Sequence, residues 1–154
     1  MAKIDQEKIT PNRGTRYPPP HDVPCRGRIW WALGTAAGLT QFGVHRLVLP
    51  PGTWSSQRHW HSHEDEFVYV LSGDVILVTD AGEEPLRAGD AVGFKAGTGD
   101  GHHLQNRSDS DAELLIVGSR DERDHGEYSD IDMVFDVGRY SGKPYYKHKD
   151  GTPY

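Results

Sequence analysis

Short apolar runs recur through the middle of the chain: Ile29 to Leu33, Val44 to Leu49, Phe67 to Leu71, Val75 to Thr79, Ala91 to Phe94 and Leu114 to Val117. Each is of strand length and rich in β-branched or aromatic residues, so the pattern predicts many short strands and an all-β fold. Pro50-Pro51-Gly52, Ser72-Gly73-Asp74, Asp80-Ala81-Gly82 and Ala88-Gly89-Asp90 supply turns, through the fixed φ of proline and the positive φ that glycine tolerates. Phe67-Val68-Tyr69-Val70-Leu71 is apolar at every position, whereas a strand with one wet face alternates. Glu66, Val68 and Val70 then fill the inside of a barrel. Phe67, Tyr69 and Leu71 point outward, toward the N-terminal arm, a second sheet or, as the favoured expectation, the second subunit of a homodimer.

The ends break this pattern. Five prolines between Pro11 and Pro24, three of them consecutive at Pro18-Pro19-Pro20, keep that stretch out of a sheet interior. Residues 1–28 therefore read as an irregular N-terminal arm, 29–138 as the barrel domain and 139–154 as an irregular C-terminal tail, whose tyrosines suggest docking. A lid formed by Lys143 to Lys149, with Tyr145, Tyr146 and His148, is one reading of that tail, and a solvated end is the other.

Length and charge narrow the classes. A chain of 154 residues makes one domain with a real core. Its net charge of −6, with both signs interspersed, offers no basic stripe for nucleic acid. Cys25 is the only cysteine, which excludes a disulfide within the chain. The first residues contain no apolar leader and no stretch reaches membrane-spanning length, so the expectation is a cytoplasmic protein with no membrane partner.

Five of the nine histidines fall in two groups, His59-Trp60-His61-Ser62-His63 and His102-His103, and the first runs into Glu64-Asp65-Glu66. Residues two apart on a strand share a face, so His59 and His61 present their imidazoles side by side. Glu66 has the wrong parity to join them along one straight strand. A bend between Ser62 and Asp65 restores it.

The spacing G-x6-H-x-H-x4-E-x6-G from Gly52 to Gly73, and G-x5-K-A-G-x4-H-x3-N from Gly89 to Asn106, resemble the two motifs of the cupin superfamily. Lys95 replaces the usual proline, and the loop from Gly97 to His102 is longer than usual. The resemblance implies a jelly-roll β-barrel and metal ligation by His59, His61, Glu66 and His102. Three imidazoles and one carboxylate suit one divalent transition metal ion such as Zn, Mn, Fe or Ni, and leave a net positive site that welcomes an anionic or carbonyl-bearing small molecule. Strand alternation favours His102 over His103 as ligand, because it sends Leu104 and Asn106 inward and keeps the Arg107 guanidinium away from the cation.

The remaining chemistry-bearing residues admit bland readings. Arg46, Arg58, Lys95 and Arg107 are candidate anion holders or plain surface cations, and Trp54 and Trp60 are pocket walls or packing. His63 and His103 are candidate acid/base groups, although each adjoins a residue better placed for the metal. Overall similarity within the cupins implies an isomerase acting on a sugar phosphate or a like carbonyl compound. The alternatives are an iron-dependent dioxygenase and a non-catalytic small-molecule binder.

Overall fold

The computed structural model describes residues 3–138 and 146–154. Its strands are β1 (Asn12–Arg13), β2 (Ile29–Ala32), β3 (Phe42–Leu49), β4 (His59–His61), β5 (Glu66–Ser72), β6 (Asp74–Thr79), β7 (Gly82–Arg87), β8 (Ala91–Phe94), β9 (His103–Gln105), β10 (Ala112–Ser119), β11 (Gly126–Tyr128), β12 (Met133–Phe135) and β13 (Tyr146–Lys147), with an α-helical turn, α1 (Leu33–Ala36), and short 3-10 turns at Gln6–Lys8 and Val23–Cys25. They form a six-stranded sheet in the order β1-β2-β3-β10-β5-β8, a four-stranded sheet β13-β12-β11-β4 and a three-stranded sheet β7-β6-β9. Isolated bridges from Trp54 to Gln105 and from His59 to His102 stitch the two smaller sheets together. The result is an all-β jelly roll of facing sheets that do not close into a continuous ring.

Each apolar run named above contributes a strand, and the inner face of the large sheet grades from oily to open. Trp30, Leu47, Leu114 and Val70 lie in register across it, then Ala32, His45, Ile116 and Val68, then Gly43, Gly118, Glu66 and Phe94. The first row belongs to a core with Leu49, Val75, Leu77, Leu86 and Leu104, where each buried Val or Leu stabilises the fold by about 1.5–3 kcal/mol. The last row replaces bulk with two glycines beside Glu66. Space for a ligand opens there.

Strands β7, β11 and β13 carry no continuous apolar run, and the apolar Met133-Val134-Phe135 of β12 is only three residues long. Gly-Glu-Glu-Pro-Leu-Arg forms an edge strand in which only Leu86 is buried, and Pro85 is tolerated because an edge has spare donors. The terminal segments dock. Asn12 and Arg13 pair with Trp30 and Ile29, while Tyr17 is buried against Tyr128 and Tyr146. Of the proposed lid, Lys143 and Tyr145 lie outside the described residues, Tyr146 packs inward, and Lys147, His148 and Lys149 pair with Asp136, Asp132 and Glu127. No described helix is long and apolar enough to cross a membrane.

Candidate metal centre

His59 and His61 project from the same face of β4, as their spacing requires. The chain breaks at residues 62–65 and Glu66 opens β5, so the predicted bend brings its carboxylate to the imidazoles. The longer loop before His102 does not displace it. Reciprocal backbone hydrogen bonds, His59 N to His102 O at 3.2 Å and His102 N to His59 O at 2.9 Å, pin it beside β4, and its ring stacks on Phe94 at 3.6 Å between centroids.

Hydrogen bonding fixes which nitrogens face the centre. His61 Nδ1 lies 2.7 Å from Asp124 Oδ2, and His59 Nδ1 lies 2.9 Å from Gln57 O. A carboxylate and a carbonyl can only accept, so both rings donate from Nδ1 and leave a bare lone pair on Nε2. Those two Nε2 atoms are 3.1 Å apart. Two lone pairs at that separation repel unless a cation lies against both.

Glu66 Oε2 sits 3.9 Å from His61 Nε2 and 3.6 Å from His102 Nε2. Ligand atoms of His59, His61 and Glu66 all fall within 4.8 Å of one another, and His102 joins this trio at Glu66. Both His102 nitrogens are buried without a hydrogen-bond partner, a cost of about 1–3 kcal/mol for a neutral polar group. The donor set therefore fits a cation.

The protonation states agree. Burial pushes the Glu66 carboxyl up, but contact with His102 and the charges of His102, His59 and His61 outweigh it and hold the group at about 2. Burial, followed by His61 and His102, drives His59 well below its ordinary range. An ionised carboxylate and a neutral imidazole are the forms that bind metal.

The centre opens on a cavity of about 490 Å³, within the range of small-molecule sites. The inner face of the large sheet forms one wall, and His59, His61, Tyr128 and Phe135 form the other. Tyr17, Arg28, Ser55, Ser56 and Tyr146 close one side, while Glu64, Asp65 and Arg120 lie on the lining elsewhere.

Residues 45–118 match the Cupin domain family. A solved protein from Silicibacter pomeroyi, described as a sugar phosphate isomerase from a cupin superfamily, is 41% identical, with a TM-score of 0.92 over 99% of this chain and 96% of its own. The chain belongs to the cupin superfamily. Two Thermotoga maritima proteins are also similar. An oxalate-binding protein is 36% identical over 72 residues, and the match spans 47% of this cupin and 57% of that relative. A structure described as a predicted oxalate decarboxylase is 25% identical, with a TM-score of 0.61 over 77% of this chain and 98% of its own.

Within this cupin the other sequence candidates lie away from the cavity. Arg46 pairs with Glu113, Arg58 with Asp80 and Asp130, and Arg107 with Glu83. Lys95 and His63 are exposed, Trp60 alternates away from the ligand face of β4, and Tyr69 points outward. His103 is buried in a structural role: Nδ1 meets Ser56 O at 3.0 Å and Nε2 meets the Gln105 amide at 2.8 Å. Trp54 packs edge-on against it, and burial pushes its pKa down to about 4.

Sequence reasoning missed Asp124, Glu64 and Arg28. Asp124 is completely buried, and besides His61 it accepts the His63 N–H at 2.9 Å. Glu64 is also buried, with Oε1 accepting the Asp121 N–H at 2.8 Å. His61, Glu64 and Asp124 form a second close group, but the His61 nitrogen on that side already donates to Asp124. Gly126 makes room for the neighbouring Phe135 ring, since a Cβ there would lie 2.4 Å from Phe135 Cζ.

Proposed function

We propose that His59, His61, Glu66 and His102 hold one divalent transition metal ion, and that the protein is an isomerase acting on a sugar phosphate or a similar small carbonyl compound. The observation that supports the metal is the pair of Nε2 lone pairs 3.1 Å apart, with their Nδ1 protons committed elsewhere. Such an ion would polarise a carbonyl or hydroxyl oxygen of the ligand. His61 is held by Asp124 and His59 by the Gln57 carbonyl, so neither ring must turn when a ligand arrives. Phe135, Tyr128 and Trp30 wall the cavity.

Isomerisation also needs a group that removes a proton from one carbon and returns it to the next. Glu64 is the buried carboxylate on the cavity wall that the metal does not claim, and it is assigned this role. Replacing it with glutamine is expected to lower turnover about 100-fold or more while leaving metal content unchanged. Retained turnover in Glu64→Gln removes it from the chemistry. The likeness to the Silicibacter pomeroyi protein supports the isomerase reading, and the shorter likeness to an oxalate-binding protein favours a non-catalytic binder as the second.

Elemental analysis of the purified protein, followed by assay against sugar phosphates, catechols and short organic acids, tests these readings. Zinc or manganese with aldose–ketose interconversion fits the proposal, iron with oxygen uptake would replace it by a dioxygenase, and saturable binding without turnover would leave the binder. The fold bears on assembly as well. Phe67, Tyr69 and Leu71 remain 43%, 38% and 43% exposed, no described segment lies over them, and Leu115 and Val117 extend the same outer face. We propose that a second copy covers this face. Sedimentation equilibrium is expected to show a dimer, and Tyr69→Glu a monomer with its metal retained; a wild-type monomer excludes this interface.

A further inference from the structure

Arg28 differs from the ion-paired guanidinium groups of this chain. Arg26, Arg46, Arg58, Arg107 and Arg123 each pair with a carboxylate. Arg28 lines the cavity instead, half-buried, and among the described residues no carboxylate pairs with it. Its Nε donates to Gly14 O at 2.8 Å and its Nη1 donates to Ser55 O. Backbone carbonyls orient the fork without neutralising it. The group also lies 5.9 Å from the centre of the Tyr17 ring, so the docked N-terminal arm fixes it from both sides.

A half-buried cation aimed at a cavity without a counter-ion is costly to leave unmatched. A guanidinium pre-oriented through Nε and Nη1 keeps Nη2 for an incoming oxyanion, the geometry that suits planar or tetrahedral acids. The wall between Arg28 and the histidines is short. Ser55, whose carbonyl holds Arg28, adjoins Ser56, whose Oγ lies 3.4 Å from His59 Nδ1, and both serines line the same space. One small molecule can therefore reach Arg28 and the histidine cluster together.

We propose that Arg28 is the specificity-determining anchor for the acidic group, phosphate or carboxylate, of a ligand whose oxygen-bearing end meets the histidine cluster. This rests on the reading of that cluster as the ligand's other anchor. It gives a role to a cavity guanidinium that no described carboxylate pairs with, unlike the five ion-paired arginines above. The preferred ligand is thus a short polyol or carbonyl compound with an acid at one end, and the neutral analogue binds poorly.

The test is calorimetric titration of the purified protein with ribose 5-phosphate, ribonate and ribose, before and after chelator treatment. At least one acid is expected to bind ten or more times tighter than ribose to the wild type. In Arg28→Gln that ratio falls to less than about threefold, whereas Arg28→Lys, which keeps the charge, retains a preference above threefold. The acid that binds tighter identifies whether phosphate or carboxylate is the natural group. Equal affinity for acids and ribose, no binding of either acid, or an undiminished ratio in a folded Arg28→Gln protein overturns the assignment. A failure of the metal reading looks different: binding unchanged by the chelator in a protein without metal, with the Arg28-dependent ratio intact.

Discussion

Alanine at His61 is expected to empty the centre, reducing bound metal from about one ion per chain to less than a tenth of that. His61 is the candidate ligand tied into the fold on two sides, because its ring lies between Glu66 on one side and the fully buried Asp124 on the other. Removing it strips a bare Nε2 from the centre and leaves the Asp124 carboxylate without its ring donor. The second loss costs about 1–3 kcal/mol by itself, so the variant should also melt earlier even with chelator present. His102→Ala should lose metal affinity by more than tenfold, since removal of a ligand exceeds the smaller effect of removing its supporting group. His103→Ala should retain its metal, because that ring is spent on Ser56 and Gln105. Elemental analysis and metal titration of the three variants decide the matter. Full occupancy in His61→Ala would sink the ligand assignment, and a reversed order for His102 and His103 would exchange their roles.

The strands were legible because alternation leaves a periodic mark, and the four ligand candidates were legible through the resemblance of the two motifs to those of the cupins. Alternation puts His59 beside His61, the odd interval to Glu66 demands the break at residues 62–65, and alternation from His102 separates it from His103. The supporting carboxylates left no such mark. Asp124 lies in the charged stretch Arg120-Asp121-Glu122-Arg123-Asp124-His125, where composition suggests a solvated loop, and its burial comes from contacts with Ser62 and His63 some 61 or 62 residues away. Glu64 reads as a surface acid between a ligand and a strand, yet the turn folds it inward to cap the Asp121 N–H. Arg28 was hidden for a related reason. It sits where a proline-rich arm meets the first long-range strand pair, and its orientation depends on Gly14 and Ser55, residues that no local pattern connects.

Long-range contacts also explain why the edge strands escaped notice. Strands β11 and β12 are three residues each, too short to display a period, and β11 is held by the pairing of Gly126 and Tyr128 with His61 and His59 on the neighbouring strand β4. Strand β7 is half charged and is held by pairing along the whole of β6. The docked ends obey the same logic. Tyr17 and Tyr146 come from opposite termini, and each packs on the ring of Tyr128, itself paired in register with His59.

Asp124→Asn is the substitution expected to separate positioning from ligation, because it preserves shape while replacing one acceptor oxygen, and the negative charge, by an NH₂ donor. In the wild type, Oδ1 takes the His63 N–H at 2.9 Å and Oδ2 takes the His61 Nδ1 proton at 2.7 Å. Asparagine has one acceptor for these two donors. With its oxygen kept at the His63 amide, its NH₂ faces His61 Nδ1, and two donors cannot share that contact. The ring then relocates its proton to Nε2, the atom that otherwise points at His59 Nε2 across 3.1 Å. A protonated Nε2 cannot ligate, so metal affinity should fall by about 10- to 100-fold, the usual effect of losing a supporting partner. Nitrogen-15 NMR of the metal-free protein supplies a readout that a general loss of stability would not move: the His61 proton should pass from Nδ1 in the wild type to Nε2 in the variant. Were the amide to turn the other way, His61 would keep its Nδ1 proton and its metal, and the orphaned His63 amide would appear as a lower melting temperature alone. Unchanged affinity with an unchanged tautomer and an unchanged melting temperature would show that neither Asp124 contact positions the His61 ring.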